Sequence, residues 1–155
     1  MGLVNAVVTK CPRIPSPLSN RLIITTTCPL LPEEIQVFNN AFCALSLALS
    51  ADKSVNPNMY INLVFTDSDT VSMSISDGDE WGYYVPMAIY PVHRWRMKNM
   101  NHIGMLACAL EELCHHFWSI RDELLVQDKV IELIQTIMPN VRKSDVYNPN
   151  WTPGG

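Results

Sequence analysis

The chain has 155 residues, 48 % of them hydrophobic and 17 % charged, a composition that builds a packed core and excludes a disordered polymer. Its formal net charge of −4 gives no basic field for nucleic acid or an anionic membrane surface, and no apolar run nears the length of a membrane span. A chain of this size is expected to fold as a single domain over 1–155, with an extended arm at 1–20 and a loosely held tail at 139–155.

The proline-rich start (Pro12, Pro15, Pro17) leaves room for one short strand near its beginning. Arg21–Thr27, with Leu22, Ile23, Ile24 and three threonines, is β-prone, and Pro29 and Pro32 end it. Pro32-Glu33-Glu34 is a helix start, with proline in the first turn and carboxylates at the positive pole of the helix dipole. The spacing of Ile35, Phe38, Phe42, Leu45 and Leu49 predicts a helix to about Ser50. Tyr60–Phe65 and the alternating Val71–Ser76 read as strands, the first closed by the turn-prone Asp67-Ser68-Asp69. Trp81–Val92 is aromatic and β-branched but broken by Pro86 and Pro91, which suits an edge strand. The basic run Arg94–Lys98 is expected to be a solvated loop.

A second helix should begin at Asn101-His102 and carry the stripe Ile103, Leu106, Ala107, Leu110, Leu113, Cys114 and Phe117. Ser119-Ile120-Arg121-Asp122 has the form of a capping box, so the chain should bend near Trp118–Ser119 and continue as a helix to about Met138. The order strand, helix, strands, helix, helix implies an α+β fold. Its small mixed or antiparallel sheet would pack on the second helix, the preceding helix and the C-terminal helix.

The five cysteines (Cys11, Cys28, Cys43, Cys108, Cys114) are odd in number and lack C-x-x-C spacing. They read as reduced thiols of a cytoplasmic protein, with Cys43, Cys108 and Cys114 as small core residues. The N-terminus has neither the basic segment nor the apolar core of a secretory signal.

Chemistry concentrates in Glu111-Glu112-Leu113-Cys114-His115-His116-Phe117. On a helix Glu111 and His115 project from one face a turn apart, with Glu112 one step round. This segment, followed by Asp122-Glu123, resembles the H-E-x-x-H helix of small zincin-like metalloproteases, with glutamate in place of the first histidine. The resemblance is specific from Glu111 to Glu123 and schematic elsewhere. It implies a zincin-like fold and one divalent metal held by Glu111, His115 and Asp122, with Glu123 the alternate third ligand. Glu112 would be the general base of a metal-dependent peptide hydrolase.

Two departures separate the chain from that family. Glu111 stands where a histidine belongs, and Trp118 replaces the glycine at which compact members turn. Two acidic ligands leave the centre less positive, so a bound water would be less acidic and hydrolysis slower, and the oxygen-rich set favours manganese, iron or magnesium relative to zinc. Metal could then remain without peptidase activity. A non-catalytic protein on the same scaffold, without metal and binding a partner peptide beside the edge strand, is the alternative. A further alternative is an unrelated α+β domain in which Glu111 and His115 form only a surface pair. Glu112-x-x-His115 also matches half of a di-iron site, but the chain has no second copy. His93 could approach the cleft from the edge strand, with exposure in a loop as the plainer reading, and His102 is expected at a helix N-terminus.

Overall fold

The computed structural model describes residues 2–76, 78 and 81–148. In chain order the elements are β1 (Gly2–Leu3), a 3-10 turn (Ser16–Leu18), β2 (Leu22–Thr26), α1 (Pro32–Ala51), β3 (Ile61–Thr66), β4 (Met73–Ser74), β5 (Met87–Pro91), α2 (Val92–Met97), α3 (His102–Phe117), α4 (Glu123–Ile137) and α5 (Lys143–Val146). The mixture of helices and small sheets is the α+β class that the sequence implies.

The direction of the main sheet differs from expectation. β2, β3 and β5 run parallel, in the order β2–β3–β5, and only the short β1–β4 ribbon is antiparallel. The reason lies in the connections. Parallel neighbours need a crossover that returns the chain to the same end of the sheet, and α1 supplies one between β2 and β3. Residues 67–86, which include β4, connect β3 to β5.

The register Ile24–Leu63–Ala88 and Thr26–Phe65–Tyr90 turns one face of this sheet into the core, against α1 and α3. Phe38 of α1 sits at the centre of that layer, its ring 4.5 Å from Phe65, 4.9 Å from Tyr90 and 5.8 Å from Trp95. The Tyr90 hydroxyl donates to the carbonyl of Ala109 at 2.8 Å, tying β5 to the middle of α3. The opposite face carries Ile23 and Ile89, 47 % and 46 % exposed, flanking a buried Val64. Parallel sheets are usually covered on both faces, so this half-open face is unusual. β5 is an edge strand, as its prolines imply.

α1 begins where proline and acidic residues predict. The Glu34 carboxylate accepts from the Leu31 backbone N–H at 2.8 Å, an N-terminal cap provided from inside the first turn. Residues 94–98 are not a loop: most of them lie in α2, with Trp95 buried and Arg96 bonded to Glu34. The buried indole anchors this turn, a contact that the basic run concealed.

Residues 2–20 carry β1, a turn with Asn5 at φ 65° and the 3-10 turn, where Leu18 enters the core. α5 forms within 139–148, and Val146 and Tyr147 pack against the core. Residues 149–155, the end of the tail expected to be loosely held, lie outside the described residues. Among the described residues no helix is long and apolar enough to cross a membrane.

Candidate functional site

α3 holds the residues singled out by the sequence. Asn101 caps it, its side-chain oxygen accepting from the Gly104 N–H at 2.8 Å, and His102 opens the first turn with its Nε2 3.0 Å from the Asn40 amide. Met105, Leu106, Ala109, Leu110, Leu113, Cys114 and Phe117 fill the buried stripe. Glu111 and His115 lie half-buried at its margin, while Glu112 is exposed.

The chain reverses at the expected place by a different device. Trp118 ends α3, and Ser119 takes a left-handed backbone conformation (φ 53°), a turn geometry instead of a cap. The cap of α4 is Asp122, whose Oδ1 accepts from the Leu124 and Leu125 N–H groups, both at 2.9 Å. Trp118 is fixed from the side, its indole N–H donating to Asp52 Oδ2 at 2.8 Å and the Lys129 ammonium lying 4.5 Å above its ring.

This reversal brings α4 back along α3. The His115 imidazole donates from Nδ1 to the Ile120 carbonyl, which leaves Nε2 facing the Glu123 carboxylate at 3.8 Å. A ring held this way through one nitrogen, with the other presented outward, is how metal-binding histidines are commonly oriented. Asp122 is engaged at the helix terminus, and among the described residues no three His, Cys, Asp or Glu side chains form a group able to hold a metal ion. His93, the other histidine candidate, lies in α2 and contacts Asp69 at 2.8 Å.

Glu111 instead faces a pocket of about 280 Å³ between α3, α4 and α5, lined also by Glu123, Gln127, Val146, Tyr147 and Asn148. Burial raises the Glu111 carboxyl above its ordinary pKa, the Glu123 and Glu112 carboxylates raise it further, and His115 pulls the other way. Burial likewise drives the Tyr147 phenol well above its usual range, and the nearby Glu111 carboxylate adds to the effect. Burial likewise raises the neighbouring thiols, Cys108 to about 11 and Cys114 to about 12.

Sequence reasoning missed Gln127 and Tyr147. Gln127 stands one helical turn after Glu123, a same-face relation visible in the sequence. Tyr147 gave no such signal, because α5 spans only four residues and the segment around it is rich in turn formers.

Compared with family models, curated proteins and solved structures, the chain matches none.

Proposed function

We propose that this chain is a non-catalytic binding protein that takes up an extended partner segment beside β5. The observation that carries this reading is the unpaired edge. The Asn62 N–H donates to the Pro86 carbonyl at 2.9 Å, and by the alternation of a parallel pair the backbone groups of Met87 and Ile89 then point away from β3. Among the described residues no chain segment meets them. β2 is better protected at its end, where the Val7 N–H donates to the Thr26 carbonyl at 2.9 Å. Trp81 and Tyr84, 94 % and 83 % exposed, precede β5 and offer aromatic surface for a bound segment. Main-chain pairing would supply affinity and these side chains selectivity.

Absence of catalysis is supported by Asp122, whose carboxylate is occupied as a cap, and by Glu112, which does not line the pocket that Glu111 faces. A second reading is favoured by the orientation of His115 alone. It retains a divalent metal on Glu111, His115 and Glu123, with Glu112 as base, on a zincin-like scaffold.

Peptide-library selection followed by NMR of the bound pair tests the first reading. Inter-strand contacts should appear between a selected peptide and Ile89, and Ile89→Pro should abolish binding while leaving the fold intact, because the lost N–H faces outward. Elemental analysis tests the second. One equivalent of zinc, manganese or iron that disappears in Glu111→Ala/His115→Ala, with hydrolysis lost in Glu112→Gln, would replace the binding reading by an enzyme.

A further inference from the structure

The pocket between α3, α4 and α5 combines features that an unliganded surface does not explain. Gln127 is only 7 % exposed and lines it. The Tyr147 hydroxyl, in the same lining, is buried and has no hydrogen-bond partner among the described residues. A buried hydroxyl is rarely left in this state, because it loses its water without replacement. Two carboxylates, Glu111 and Glu123, face the same space, and no lysine or arginine is among the described residues that line it. The nearby cations are directed elsewhere: Lys143 to Asp128 at 2.6 Å, Arg142 to Asp145 at 3.6 Å and Lys129 to Glu132 at 3.2 Å. Val146 adds one apolar wall.

We propose that this pocket binds a guanidinium group carried on an aliphatic stem, with Glu111 and Glu123 accepting its N–H groups and Gln127 and Tyr147 completing the hydrogen bonds. The chemistry discriminates among cations. A bare metal ion would need converging donors, and the described residues provide no such group. A guanidinium is planar, offers five N–H donors and pairs with carboxylates through two parallel bonds. It can therefore satisfy two carboxylates, an amide oxygen and a phenol oxygen together, while its stem lies along Val146. An ammonium has three donors on one compact centre and would leave part of the set unmet. The site is separate from the β5 edge, so it stands or falls independently of strand addition there.

Isothermal titration of the full chain tests the proposal with three probes: agmatine, N-acetylarginine amide and n-butylamine. The two guanidinium compounds should bind at one site and n-butylamine more weakly. Glu123→Gln, on a half-exposed position that leaves the core untouched, and Tyr147→Phe should each weaken guanidinium binding about tenfold or more, the loss expected for one charge-assisted or buried hydrogen bond. A preference for N-acetylarginine amide identifies an arginine side chain of a protein partner as the source, and a preference for agmatine a free small molecule. Absence of binding by both guanidinium probes would overturn the proposal. So would binding that both variants leave unchanged, or equal binding of n-butylamine.

Discussion

Glu34 and Arg96 meet as a two-bonded ion pair across 62 residues of sequence, Nε to Oε2 at 2.9 Å and Nη2 to Oε1 at 2.7 Å. Glu34 is 2 % exposed, so the guanidinium is what makes its charge tolerable there. The same carboxylate caps α1, and Arg96 also donates to the Pro29 carbonyl at 3.1 Å. One pair thus fixes the start of α1, the chain before it and the short α2.

Removing one partner should therefore cost far more than removing both. Arg96→Ala leaves a buried carboxylate unpaired and is expected to destabilise the fold by about 3 kcal/mol, the lower part of the range for such losses because Arg96 is partly exposed. Glu34→Leu/Arg96→Met should recover much of that. Urea unfolding of the three proteins checks the order, and equal losses for the single and double variants would count against it.

Acid should loosen the α3–α4 turn through Asp52. Hydrogen bonds from Ser54 and then from the Trp118 indole hold its carboxyl down to about 2, below the ordinary 3.8. The folded state binds this proton less readily than the unfolded chain. The stabilisation is thus fully present above the unfolded value and is lost as pH falls from near 3.8 through about 2. Tryptophan fluorescence during denaturant titrations from pH 5 to pH 2 should show this slope, and Asp52→Asn should flatten it.

Glu111 carries the opposite sign. Its carboxyl is raised, chiefly by burial and then by Glu123 and Glu112, so the folded chain holds that proton more tightly than the unfolded one. Stability from this group is fully present below the unfolded value and is lost as pH rises through the higher folded one. Glu111→Gln should raise the melting temperature at pH 7 and leave it nearly unchanged at pH 4. A lower melting temperature at pH 7 would show that the charge is compensated.

The thiols should separate by exposure. Cys11 and Cys43 are exposed, Cys108 is half-buried, and Cys28 and Cys114 are buried. Ellman's reagent should titrate Cys11 and Cys43 quickly in the native protein and all five cysteines only in denaturant. Rapid labelling of Cys114 would mean that α3 opens far more readily than its packing implies.

Much of the fold was legible because side-chain periodicity records burial. The apolar spacing of α1 and α3 predicted both helices nearly to their ends, and the Pro32-Glu33-Glu34 start matches the observed one. Strand direction was less visible. The nearly continuous burial of Ile61–Thr66 is what a parallel strand covered on both faces shows, but a short apolar run does not declare its direction. Asp122 caps α4, and helix caps and metal sites draw on the same residue types, so the sequence alone does not separate the two roles. Cys43 was expected in the core but faces out of α1, since helical context alone does not fix which face a small residue takes. The pocket depends on Tyr147 meeting α3 and α4, a tertiary contact without a local pattern.

The central strand β3 has no hairpin partner. Its neighbours are reached only across residues 27–60 on one side and 67–86 on the other, so no strand pair can form as a local event. Loop closure must precede every rung of the sheet, and the contacts between α3 and α4, which adjoin in sequence, cost least to form. Refolding should accordingly begin in the C-terminal helices and finish with the sheet. Until then the apolar segments of β2, β3 and β5 stand open to intermolecular pairing, and the yield of native chain should fall as protein concentration during refolding rises.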